Sequence, residues 1–149
     1  MPMLRVADHH WIPCDNGKVP MDAFICGMDK DGSSLYVGRA FHEGDLLPGK
    51  IVPSHGCIYV CRNGAEHGVK RYEALVGGNF AWTNTSGNRI PRDAVAAGET
   101  ATKEKLYVGR VVHDGTLTIG KVHPSHGVCY IPYDGKELSF QVYDILVSK

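Results

Sequence analysis

The residues best suited to chemistry in this sequence come in matched pairs. Pro53-Ser54-His55-Gly56 returns as Pro124-Ser125-His126-Gly127. Serine beside histidine suggests a nucleophile and its base. Neighbours in an extended chain point to opposite faces, however, so the two cannot pair directly. The Gly-x-Ser-x-Gly elbow that would expose a nucleophile is absent. The motif reads instead as a turn: Pro fixes φ, Ser bonds local backbone and Gly takes the special dihedral. No nucleophile, base and orienting group stand together, so no catalytic residue and no enzymatic activity are expected.

Metal chemistry is the second option. Eight histidines are present, and His42, His55, His113 and His126 are matched in pairs. Neither Cys-x-x-Cys nor His-x-x-x-His occurs, and a zinc site needs four converging ligands. Cys57 and Cys61 stand four apart, a spacing that suits a helix face rather than a strand. No metal and no cofactor are expected.

Charged residues remain. Arg39 and Arg110 interrupt apolar runs at matching places. A buried Arg needs a carboxylate or several carbonyls, and such contacts would tie two parts of the fold together. Asp29 follows Gly27-Met28, and Lys50 follows Pro48-Gly49. On adjacent loops, an Asp and a Lys can clamp vicinal hydroxyls. The carboxylate accepts two O–H bonds, and the ammonium donates to two oxygens. Taken alone, the pair reads first as solvated turn residues.

These pairs follow from an internal duplication. Shifted by 71 residues, 11–76 aligns with 82–147 without a gap and with 25 identities in 66. Chance would give about 4 at ordinary composition. We therefore expect a first module over 11–77 and a second over 78–149 in one compact unit, after an N-terminal extension over 1–10. A pseudo-twofold pair is the natural arrangement, because ~70 residues alone make a marginal core.

The modules read as antiparallel β. Leu35–His42 alternates partly with period two. Cys57–Cys61 and Val128–Ile131 are rich in β-formers, and Asn63-Gly64 and Asp134-Gly135 after them are hairpin turns. Met21–Cys26 and Arg92–Ala97 are expected to be extended. The expected class is all-β, two tandem antiparallel modules.

The 149 residues carry 16 basic and 16 acidic side chains, with 43% hydrophobic content. This balance offers no basic footprint for nucleic acid. No run approaches the ~18 apolar residues of a transmembrane helix. The N-terminus has no apolar signal region, and the five cysteines are an odd count, so a cytoplasmic protein with reduced thiols is expected.

The sequence resembles the DM-nine repeat family, the natterin-like proteins, in a short two-repeat form. The carrying residues are Trp11, Ala23 with Gly27, Leu35–Ala40, Pro48-Gly49-Lys50, Gly56 and Tyr72–Val76, most of them repeated in the second copy. The resemblance covers nearly all of the chain after residue 10. Short members include mannose-binding lectins that serve invertebrate pattern recognition and agglutination, and others are intracellular and move to vesicles under stress. Longer natterin relatives add a pore-forming module, for which we expect no counterpart here.

The resemblance implies a lectin for mannose or high-mannose glycans, paired as a homodimer. It implies Asp29 and Lys50 as the sugar contacts. We expect Arg39, His42, Glu43, His55 and Gly56 around the same pocket. In the second copy Lys121 is kept, but Thr100 replaces Asp29, which leaves Glu99 one residue away as the substitute acid. The competing expectation is a vesicle-associated interaction protein with a vestigial sugar site.

Overall fold

The structure is a computed structural model that describes residues 8–149. Its strands are β1 (His9–Asp15), β2 (Ile25–Met28), β3 (Ser34–His42), β4 (Asp45–Val52), β5 (Cys57–Arg62), β6 (Ala65–Val69) and β7 (Arg71–Gly77). The second copy supplies β8 (Phe80–Ser86), β9 (Ala96–Glu99), β10 (Lys105–His113), β11 (Thr116–His123), β12 (Val128–Tyr133), β13 (Lys136–Phe140) and β14 (Val142–Ser148). Adding 71 to the bounds of β1–β7 gives those of β8–β14, so the duplication holds at every strand. The fold is all-β, as expected. Of the expected extension over 1–10, residues 1–7 lie outside the described ones, and His9 and His10 belong to β1. No helix among the described residues is long and apolar enough to cross a membrane.

The repeats interleave. Strands β3, β4, β9, β10, β11 and β2 pair in that order, and β2 returns to β3, which closes a six-stranded antiparallel barrel. Each copy gives three of the six strands. Closure removes the open edges that a lone ~70-residue sheet would expose. Leu35, Val37, Val95, Ala97, Val108 and Ile119 share one buried cluster, drawn from both copies. Neither copy therefore has a complete core of its own.

Each long strand forks. The edge of β4 pairs with β9 at Leu46 and with β5 from Lys50 to Val52. This fork depends on Gly49. A Cβ there would run into the Tyr59 carbonyl, and one at Gly120 into the Tyr130 carbonyl. The Gly-Lys pair kept in both copies is thus a steric demand: only glycine lets β5 and β12 approach so closely.

The hairpins β5–β6 and β12–β13 turn on Asn63-Gly64 and Asp134-Gly135, each with positive φ at both residues. That is the turn whose twist matches the strands. The two tips then interlock. Glu66 N–H donates to the Gly135 carbonyl and Glu137 N–H to the Gly64 carbonyl, both at 3.0 Å. Pro53–His55 and Pro124–His126 form single 3-10 turns closed by left-handed Gly56 and Gly127, the turn read from the sequence.

One local expectation changes. Met21 and Asp22 form a turn and Ala23 an isolated bridge to Val76, and the strand begins only at Ile25. Arg92–Ala94 behaves alike before β9. Pro20 and Pro91 precede these segments and withhold the N–H that a strand partner would need there.

Candidate functional site

Lys50 sits on β4 rather than on the loop expected from Pro48-Gly49, and it is only 5% exposed. Its register partner is Tyr59 on β5. The Lys50 Nζ lies 3.8 Å from Glu66 Oε2, 5.8 Å from the Tyr59 ring centre and 5.4 Å from that of Tyr133. Aromatic faces at such distances stabilise a desolvated cation. Burial lowers the lysine pKa, while the charges of Glu66 and Asp29 oppose that shift. Glu66 is held by the tip of the opposite hairpin: its Oε1 accepts the Gly135 N–H at 3.0 Å. The hairpin interlock thus aims a carboxylate at the lysine.

A cavity of about 220 Å³ opens over this lysine, and Asp29, His55 and Tyr59 line it with Glu66, Tyr133 and Asp134. Asp29 occupies the loop after β2, half-buried, and its Oδ1 accepts the Lys30 N–H at 2.8 Å. His55 Nδ1 lies 2.8 Å from the Tyr59 hydroxyl, with the two rings edge to face. The Tyr59 hydroxyl is pushed up to about 12, by burial first and then by Cys57 and the nearby acids, so it remains a donor at neutral pH. Tyr133 donates to Asp114 Oδ2 at 2.7 Å and is likewise pushed up to about 12 by that bond. One cavity therefore holds a buried ammonium, carboxylates, a hydroxyl-bearing ring and an imidazole, the groups that bind polar hydroxyls.

The structure gathers Asp29, Lys50 and His55, with Gly56 closing the turn that carries His55. It places the other expected residues elsewhere. Arg39 Nε donates to Glu73 Oε1 at 2.8 Å, Nη1 to the Ala97 carbonyl at 3.2 Å, and its guanidinium lies 4.2 Å from the Trp11 ring centre. Arg110 repeats this with Asp144, the Cys26 carbonyl and Trp82. Ala97 and Cys26 belong to the copy opposite their arginine, so both guanidiniums tie the repeats together.

His42 stacks on His67 with ring centres 4.1 Å apart, and Glu43 bonds Arg62 Nη1 at 2.7 Å. Neither lines the cavity over Lys50; the Arg62 that Glu43 holds lines a second cavity. Lys121 lies on β11, equally buried, with its Nζ 2.9 Å from Glu137 Oε2. Glu99 pairs instead with exposed Lys103 at 3.5 Å.

Sequence reasoning missed Glu66, Tyr59, Tyr133 and Asp134. For two of them a signal existed: Glu66 matches Glu137 and Tyr59 matches Tyr130 at the 71-residue offset. Tyr133 and Asp134 match Arg62 and Asn63, so self-comparison could not flag them.

The DM9 repeat pattern matches residues 29–140, a span that includes Asp29, Lys50 and both interlocked tips. The chain belongs to the DM9 repeat family. Natterin-4 of Thalassophryne nattereri is 30% identical to this DM9 chain over 135 residues, 88% of the chain and 32% of natterin-4. Natterin-3 of the same fish is 31% identical over 68 residues, 46% of the chain and 16% of natterin-3. The DM9 chain thus spans about a third of natterin-4 and less of natterin-3. Among solved structures, the nematode sperm cell motility protein MFP2B shares the fold, with a TM-score of 0.69 at 16% identity. That likeness covers 100% of this chain and 49% of MFP2B.

Proposed function

We propose that this DM9 protein binds carbohydrate, with the cavity over Lys50 taking mannose-type glycans. The observation that carries this reading is the incomplete solvation of Lys50. Its side chain is only 6% exposed, yet its one carboxylate contact is a loose 3.8 Å. No other polar bond to a described residue satisfies it. A pair of sugar hydroxyls would supply the missing acceptors, and Asp29, in the same cavity lining, would accept hydrogen bonds from them. No metal is needed for such a clamp. The role is recognition of glycans, as in pattern recognition or agglutination.

Calorimetry with mannose on Asp29→Ala tests this. A hydrogen bond to a charged group contributes about 1.5–3 kcal/mol, so the loss should weaken binding at least tenfold. Asp29 is a half-buried loop residue with no ion pair among the described residues, so thermal unfolding should hardly move. Unchanged mannose binding would overturn the site.

One monosaccharide pocket binds weakly, and linked pockets raise avidity by ~10²–10⁴. A homodimer with twofold symmetry is the simplest way to link them. Light scattering at micromolar concentration should give twice the chain mass, and a monomer would count against this.

A second reading rests on Phe41 and Val112. They are 74% and 77% exposed, at equivalent places in the two repeats. An intracellular, vesicle-associated interaction protein with a silent cavity would use such a surface. A glycan array without any bound sugar would favour it.

A further inference from the structure

The 71-residue offset carries the first cavity onto a second, of about 300 Å³. Lys121, Tyr130, His126 and Glu137 repeat Lys50, Tyr59, His55 and Glu66. The His126 Nδ1 to Tyr130 hydroxyl distance is again 2.8 Å. The frame is therefore the same, and the differences lie in what surrounds it.

Those differences have one electrostatic sense. The first cavity has two carboxylates without an ion pair among the described residues, Asp29 and Asp134. Asn63 stands at the place of Asp134 in the second, and Thr100, the counterpart of Asp29, lines only the adjoining lobe. Arg62 replaces Tyr133, and His123 replaces Val52. Around the first cavity Asp29, Glu66 and Asp134 face one lysine. Around the second, Asp45 and Glu137 face Arg62 and Lys121, and each acid is paired: Asp45 with Arg62 at 3.0 Å and Glu137 with Lys121 at 2.9 Å, while Glu43, outside the cavity lining, also holds Arg62 at 2.7 Å. Asp45 also accepts the Ala101 N–H at 2.8 Å. Glu104, in an adjoining lobe, is held by His123 at 3.0 Å and by Ser125.

The available donors shift as well. Lys121 Nζ donates to the Cys61 carbonyl at 2.7 Å and lies 2.9 Å from Glu137 Oε2, which accepts no hydrogen bond from a described residue. Arg62 gives Nε to Asp45 and Nη1 to Glu43, which leaves Nη2 without a bond to a described residue. The Asn63 amide stands where the first cavity has a repelling carboxylate. A planar carboxylate suits a guanidinium edge and an amide far better than it suits two free acids.

We propose that the second cavity binds acidic saccharides, sugars that carry a carboxylate such as uronic acids, while the first is restricted to neutral ones. The cavity adjoins a lobe of about 340 Å³, with which it shares Asp45, Arg62, His123 and His126 and into which Thr100 and Thr102 project. A second sugar unit attached to the acidic one would lie there.

The inference rests on the saccharide reading of the fold, but its test is separate. Glucuronate and glucose are titrated into the full chain and followed by amide NMR. Glucuronate should shift Arg62, Asn63 and His126, and glucose at equal concentration should not. Asn63→Asp should weaken glucuronate binding at least tenfold and leave mannose binding unchanged. That variant is safe for the fold, because Asp134 occupies the equivalent turn with the same φ of 52° before its own glycine. Asp29→Ala should leave glucuronate binding as it is, so failure of the first site and failure of the second read out differently. Absence of glucuronate shifts at the second cavity, or an Asn63→Asp chain that binds glucuronate like the parent, would overturn the proposal.

Discussion

Lys50 and Tyr133 come from different copies of the repeat, and the ammonium of one lies 5.4 Å from the ring centre of the other. Tyr133 is fixed in turn by its bond to Asp114, which also accepts Lys30 Nζ at 3.1 Å. A cation, a ring, a carboxylate and a second cation thus alternate across the seam between the copies. The cavity is a property of the duplicated fold and not of a single repeat.

The burial of Lys50 changes what its removal should do. On an exposed loop, Lys50→Ala would leave stability untouched. On β4 it strands the Glu66 carboxylate, which is 14% exposed at its side chain, without its cation. Because that contact is a loose 3.8 Å and Glu66 keeps the Gly135 N–H, losing it costs about 1–3 kcal/mol. Thermal unfolding of Lys50→Ala should fall accordingly. Adding Glu66→Gln removes the stranded charge and should restore most of the stability, without restoring mannose binding. A double variant as unstable as the single one would show that the pair is not what holds this corner together.

Arg39 should matter for the fold and not for the sugar. Its guanidinium meets a carboxylate, a carbonyl of the opposite repeat and a tryptophan face at once. Lysine offers neither the planar fork nor the stack. Arg39→Ala and Arg39→Lys should therefore both lower stability, the former by about 1.5–3 kcal/mol. Mannose affinity of the folded protein should stay within twofold of the parent. A larger affinity change in calorimetry would bring Arg39 back into the site.

Much of the fold was legible because duplication tests each local signal twice. Asn63-Gly64 and Asp134-Gly135 both read as hairpin turns and both form them. The role of Arg39 and Arg110 as ties followed from two charges inside two apolar runs. Lys50 was misread for a physical reason. Pro48-Gly49 is a turn signal in local terms, and only pairing with Arg39 and Gly38 on β3 makes it part of a strand, where the Tyr59 carbonyl then demands the glycine. The crossing of the hairpin tips had no local signal at all. Nothing in the pattern around Asp134 says that it will share a cavity with a lysine 84 positions earlier, because that placement follows from the interlock of the two hairpin tips.

The thiols offer a check on compartment. All five cysteines are free; Cys14 is half-buried, and the other four are buried. Burial pushes each of their thiols up, which removes the reactive thiolate. Mass spectrometry without reductant should count five free thiols. Brief alkylation of the native protein should label Cys14 first, and the buried four only on unfolding. A linked pair in freshly prepared protein would contradict both the structure and the expected reducing compartment.

The second cavity should be the acid-sensitive one. His123 and His126 stack with ring centres 3.6 Å apart, where the first repeat has Val52 and His55. Burial lowers the His123 pKa below its ordinary 6.5, and the neighbouring His126 lowers it further. Lys121 adds to that repulsion, while Glu104 opposes it from 3.0 Å. A group whose pKa is lower folded than unfolded binds more protons in the unfolded chain. Stability from the neutral imidazole is therefore complete above pH 6.5 and is lost as pH falls through the lowered folded value. His123→Val installs the residue that the first repeat already accepts at this place, so the fold should tolerate it. Chemical denaturation between pH 7.5 and pH 5 should show the parent losing more stability than His123→Val. Equal losses in the two proteins would place the acid sensitivity elsewhere.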